Sequence, residues 1–187
     1  AIDHVIPGLK VASRQLLNRF ESQAANQQVA GLAALSWIHK TSPSLVSLAE
    51  INTLIEKTLQ LQDEEGWFNE YGGPDLGYLS VTIDCLWDSF DAIGDIRLIE
   101  SAKKALSFLD EMTCNTYGDS IGMHNARNTD YIVPYGITRF LDASIDADSQ
   151  KKSLRLLKNI FSKSDCNKHF FSSVDDRYWC HYIGLSV

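Results

Sequence analysis

Apolar residues recur at every third or fourth position along most of the chain, the mark of helices that bury one face. Leu9, Ala12, Leu16, Leu17 and Phe20 predict a first helix over 8–20. A second follows over 29–39, where Ala30, Gly31, Ala33 and Ala34 leave room for a close neighbour and Trp37 and Ile38 extend the apolar surface. Ser44 is the expected N-cap of a third helix with the stripe Leu48, Ile51, Ile55 and Leu59. Ile83, Leu86, Trp87, Phe90 and Ile93 predict a deeply buried fourth over 79–93. Gly94 should stop it and Asp95 should cap the fifth, which carries Ile96, Ile99, Ala102, Leu106 and Leu109. A sixth helix over 130–145 is expected to start irregularly because of Pro134 and Gly136. After a tight turn at 146–148, Leu154, Leu157, Ile160 and Phe161 define a seventh, and Asp175 is placed to cap an eighth running through Tyr178 and Tyr182. No segment alternates as a strand does.

The spacing between these elements has its own order. Helices are expected to begin near Ser44, Asp95 and Asp148, a period of about 52 residues that suits stacked helical hairpins. Short links alternate with long polar ones at 62–78, 113–129 and 165–174. If successive helices are antiparallel, all the long links emerge at one end of the stack. The expected fold is therefore all-α: about eight helices in antiparallel hairpins, stacked as an incomplete α/α toroid or arc, with residues 1–187 forming a single domain. A partial array leaves an apolar flank at each end, so contact with a further domain or a second copy is expected.

Composition narrows the partners. The 187 residues are 44% apolar and 22% charged, as in ordinary globular domains. A formal charge of -7 with no basic run interleaved with aromatics argues against nucleic acid. Lys151, Lys152, Arg155 and Lys158 fall at helical spacing and read as a solvated face. No apolar run is long enough for a membrane span, and the N-terminus has no signal-peptide core. The four cysteines, Cys85, Cys114, Cys166 and Cys180, form no Cys-x-x-Cys pair, which favours a cytoplasmic location. A zinc set of Cys114, Cys166, His169 and Cys180 matches no compact spacing, so neither a metal nor a cofactor is expected.

The candidate chemistry lies in the long links. The first offers Glu70, Tyr71, Asp75 and Tyr78; the second His124, Asn125, Arg127, Asn128, Asp130 and Tyr131; the third His169, Asp175, Asp176, Arg177 and Tyr178. Phenol rings that stack on pyranose faces, with carboxylates, amides and guanidinium groups for hydroxyls, suit a polysaccharide or oligosaccharide. Hydrolysis would use paired carboxyls, Glu70 or Asp75 with Asp130 or Asp175. Elimination on a uronate would use Asn125 or Arg127 to neutralise its carboxylate and His124 or a tyrosine as base. Plainer roles compete: Asp75, Asp95 and Asp175 as helix caps, Arg127 and Arg177 as braces paired with Glu70 or Asp130, Trp67 and Phe68 as a plug over the core. A non-catalytic helical interaction module is the rival reading.

The run Gln62-Asp63-Glu64-Glu65-Gly66-Trp67-Phe68 together with the hairpin rhythm resembles the α/α-toroid proteins. Terpenoid cyclases share a Gln, acidic, Gly, aromatic order, but their Asp-rich protonating motif has no counterpart here. Glu70-Tyr71-Gly72-Gly73-Pro74-Asp75 with Gly77-Tyr78, and then Arg127-Asn128-Thr129-Asp130-Tyr131, more closely resembles the helical domains of heparinase-like polysaccharide lyases. That resemblance implies a lyase or glycoside hydrolase. It implies Asn125, His124, Tyr131 and Arg127 as substrate-handling groups, with Glu70 and Asp130 as further catalytic candidates. Tyr71, Asp75, Tyr78, Asn128, Asp176, Arg177 and Tyr178 would complete the binding surface. Six hairpins at this period need about 310 residues, so the chain covers about four of them.

Overall fold

The computed structural model describes residues 5–114 and 132–163, with the side chains of 114 and 161–163 left out. Its helices are α1 (Ile6–Asn18), α2 (Ala25–Thr41), α3 (Leu48–Leu59), α4 (Leu76–Ile93), α5 (Ile96–Cys114), the one-turn α6 (Tyr135–Thr138) continued by a 3-10 turn (Arg139–Leu141), and α7 (Ala147–Lys163). Among the described residues there is no strand, only the isolated bridges Ala24 to Glu70 and Gln62 to Phe68. The all-α expectation holds.

The helices form two layers. α2, α4 and α6 pack side by side in one layer, α3, α5 and α7 in the other, and each hairpin joins the layers through α2–α3, α4–α5 and α6–α7. Long-range bonds fix the directions. Lys40, at the end of α2, donates to the Asp91 carbonyl near the end of α4, so these two helices run parallel. Lys103 reaches Asp146, Lys152 reaches Ser107 and Arg155 pairs with Asp110, which sets α7 parallel to α5. Gln28 near the start of α2 meets Thr58 near the end of α3, so the layers oppose each other. α1 packs on α2 and is tied to α3 by Arg14 to Glu50 at 2.7 Å.

The core lies between the layers. α4 is its axis: Leu76, Leu79, Ile83 and Leu86 are essentially inaccessible, and Trp87 makes edge contacts with Phe90 and Phe140. Each such aliphatic side chain contributes about 1.5–3 kcal/mol by leaving water, so truncating Ile83 or Leu86 would damage the fold most. Cys85 sits in this apolar wall, as expected of a small core residue. Asp75 caps the start of α4 and Gly94, at φ 79°, ends it in the left-handed conformation that glycine adopts without strain.

Several boundaries differ from expectation, and α1 is shifted two residues toward the N-terminus, to 6–18. α2 starts at Ala25 rather than 29, because the long link supplies the acceptors its first turn lacks. The cap of α3 is Ser47, not Ser44: Ser47 and Glu50 form a reciprocal capping box. The first turn of α4 claims Leu76, Gly77 and Tyr78 from the link, since Asp75 accepts the Tyr78 amide at 2.9 Å. The sixth helix is much shorter than 130–145. A Cβ on Gly136 would stand 2.6 Å from the Asp84 backbone, so this turn lies directly on α4, and the Asp142 carboxylate takes the Ser144 amide and ends the run. The connecting turn thus precedes Asp146, which caps α7 through the Ser149 amide. The basic set on α7 is only partly a solvated face, since Lys152 and Arg155 tie α7 to α5.

Candidate functional site

The long link 60–75 crosses the end of the stack where α3 finishes and α2 and α4 begin. Its first half is a tight turn in which Asp63 donates to the Trp67 carbonyl at 2.8 Å and Gly66 to the Asp63 carbonyl at 2.9 Å. Gln62 fastens this turn to α5, giving its amide to the Gly66 and Ser101 carbonyls and taking the Ser101 hydroxyl at 2.7 Å. Gly66 is required here: at φ 106° a Cβ would stand 2.4 Å from the Lys104 carbonyl oxygen. Phe68, 1% exposed, closes the end of the core, and half-buried Trp67 packs beside it. The plug expected of this pair is what the structure contains.

The second half of the link is bound to the segment before α2. Asn69 accepts the Ala25 amide and Tyr71 donates its amide to Gln23 at 2.6 Å, while the Asn69 side chain donates to Ser22. The Ala24 position of α2 has no side-chain cap. Glu70 supplies one from a distance: its Oε1 accepts the Asn26 amide at 2.6 Å, filling one of the donors a helix start leaves open. Asp75 does the same locally for α4. Two neighbouring helix starts therefore hold one carboxyl each, Glu70 at 6% and Asp75 at 1% exposure.

Their electrostatics are unusual for a surface link. Burial pushes the Glu70 carboxyl up to about 7; the Asn26 amide opposes this, while Asp75 and Glu21 add like-charge repulsion. Glu70 is therefore only partly ionised at neutral pH, and its Oε2 has no hydrogen-bond partner among the described residues. Beside it Tyr71 is 48% exposed with φ 56°, a left-handed backbone rare for a tyrosine. Tyr78 is half-buried on the first turn of α4.

Of the expected site residues, Glu70, Tyr71, Asp75 and Tyr78 are thus gathered at one end. His124, Asn125, Arg127, Asn128, Asp130, Tyr131, Asp176, Arg177 and Tyr178 lie outside the described residues, as do Asp175, His169, Cys166 and Cys180. Val133 donates its amide to the Ser80 hydroxyl on the second turn of α4 at 2.8 Å. Residue 133 therefore lies toward the Glu70 end of α4. Sequence reasoning missed the capping of α2 by Glu70 and the Gln62–Ser101 fastening. A helix opening on Ala24-Ala25 with no Ser, Thr, Asp or Asn was the available signal for the first; the second had none.

Among the described residues no group of three or more His, Cys, Asp or Glu could hold a metal ion, and no helix is long and apolar enough to cross a membrane. Compared with known proteins, the chain matches no family model, no curated protein and no solved structure.

Proposed function

We propose that the chain binds a saccharide at the end of the stack where the long links emerge, and acts on it as a polysaccharide lyase or glycoside hydrolase. The observation that carries this reading is Glu70: a buried carboxyl able to hold a proton at neutral pH, with one oxygen uncommitted, beside Asp75 and the exposed ring of Tyr71. A proton-bearing carboxyl is what a general acid requires at a glycosidic oxygen, and an exposed phenol ring is what a pyranose face stacks on. Asp130 is the expected partner carboxyl for hydrolysis. For elimination the acting groups would be Asn125, Arg127, His124 and Tyr131.

A glycan array read together with reducing-end release and with absorbance of unsaturated uronates tests the reading. The expected result is retention of at least one glycan and its turnover, with Glu70→Gln keeping the fold and the binding but losing the turnover. A second reading, a non-catalytic interaction module, is favoured by the double use of Glu70 and Asp75 as helix caps. It replaces the first if no glycan is retained, or if Glu70→Gln acts only by lowering stability.

A further inference from the structure

We propose that the groove between α1 and α3 binds a small amphiphilic anion, a carboxylate on a short apolar chain, independently of the saccharide site. α1 packs on α2 and is held to α3 by the ion pair of Arg14 with Glu50. Beside that pair the two helices leave a cavity of about 370 Å³, a size that suits a small ligand. The sequence accounts for the gap. On α3 the row lining it is Ala49, Thr53 and Lys57, four residues apart, and the first two side chains are too short to fill the space toward α1.

The lining combines an apolar floor with a polar rim. Leu17 is half-buried and Leu54 buried, both packed with the hydrophobic core, whereas Asn18, Thr53 and Lys57 are exposed. The charges at one side of the groove cancel: Glu50 Oε1 accepts from Arg14, and its Oε2 accepts the Ser47 amide and hydroxyl. The Thr53 hydroxyl is spent on the Ala49 carbonyl. Lys57 is different. Among the described residues no hydrogen bond or ion pair engages its ammonium or the Asn18 side-chain amide. The groove thus holds one uncompensated positive charge above an apolar floor. A monoanion matches it, with the carboxylate taking N–H groups from Lys57 and Asn18 while its chain covers Leu17 and Leu54 and removes them from water.

Calorimetric titration of the whole chain with octanoate, octyltrimethylammonium and acetate tests this by separating the head charge from the tail. The expected result is binding of octanoate about tenfold or more tighter than either of the others. Lys57→Gln, at an exposed position, should weaken octanoate about tenfold, the worth of one charge-assisted hydrogen bond. Thr53→Leu, also at an exposed position, fills the groove and should block octanoate with the fold kept. Glu70→Gln, outside the groove, should leave octanoate binding as it is. No binding of octanoate, equal binding of the cation or of acetate, or an octanoate affinity that either groove variant leaves unchanged overturns the proposal, and each of these leaves the saccharide reading intact.

Discussion

The two ends of the helical stack are built on opposite principles. At the end of the short links, each helix start is capped from within its own turn: Ser47 by its exchange with Glu50, Asp95 through the Arg97 amide, Asp146 through the Ser149 amide. Their carboxylates are held ionised. The Ser47 backbone amide and hydroxyl keep Glu50 down at about 2, and the Ser149 amide does the same for Asp146. At the other end only α4 has a local cap, Asp75, and the remaining ties are remote in sequence: Glu70 to Asn26, Gln62 to Ser101, Val133 to Ser80. Here burial and like charges push Glu70 up to about 7. The first end holds its carboxylates ionised; the second keeps one carboxyl at odds with its surroundings, a perturbation found at reactive sites and in buried structural networks alike.

The largest test of this contrast is at Gly66. Gly66→Ala drives a methyl into the Lys104 carbonyl and forces a side chain onto a φ of 106°, so it should cost about 3 kcal/mol and strip amide protection from residues 62–68. Chemical denaturation with hydrogen exchange reads both. Loss below about 1 kcal/mol would mean that the link is not held against α5.

Glu70→Gln comes next, and its sign depends on pH. A folded carboxyl raised from 4.5 to about 7 contributes stability that is present below pH 4.5 and is lost as pH rises through about 7. Glu50 and Asp146, depressed to about 2, contribute stability present above their ordinary values and lost as pH falls through about 2. Stability should therefore peak at mildly acidic pH. Gln keeps an acceptor for Asn26 but cannot ionise, so the variant should gain on the wild type between pH 5 and 8, by on the order of 2–3 kcal/mol at most. Thermal melts across that range check it, and parallel curves would contradict the electrostatic account.

At the opposite end, Ser47→Ala should cost about 1 kcal/mol with no pH signature between 5 and 8, because it removes one local cap. The smallest effect is expected at Tyr71. Glycine accepts its φ of 56° more readily, so Tyr71→Gly should change stability by no more than about 1 kcal/mol, in the stabilising direction if the strain outweighs chain entropy. The same variant should weaken saccharide binding about tenfold through the lost stacking surface. Unchanged affinity would remove Tyr71 from the site.

The same contrast explains what could be read from the sequence. The helical layout and the stop at Gly94 with its cap at Asp95 follow from residues within one or two turns of each other, and those readings agree with the structure. So does the burial of α4, whose apolar residues occupy every face. The observed cap of α3 lies one short turn beyond the expected Ser44, at Ser47, whose Ser-x-x-Glu spacing to Glu50 supplies the reciprocal capping exchange. The sixth helix was overextended because nothing local reveals that Gly136 lies against the Asp84 backbone. Tyr71 and Glu70 were legible as members of a polar link. The bond from Glu70 to a helix start 44 residues away was not.

On the proposed reading, saccharide binds at the long-link end. Amide chemical-shift mapping during titration with the tightest-binding oligosaccharide tests it most directly. Shifts should centre on Asn26, Glu70, Tyr71 and Tyr78, with Ser47, Asp95 and Asp146 unmoved. Shifts concentrated around Ser47, Asp95 and Asp146, or none at saturating saccharide, would contradict it.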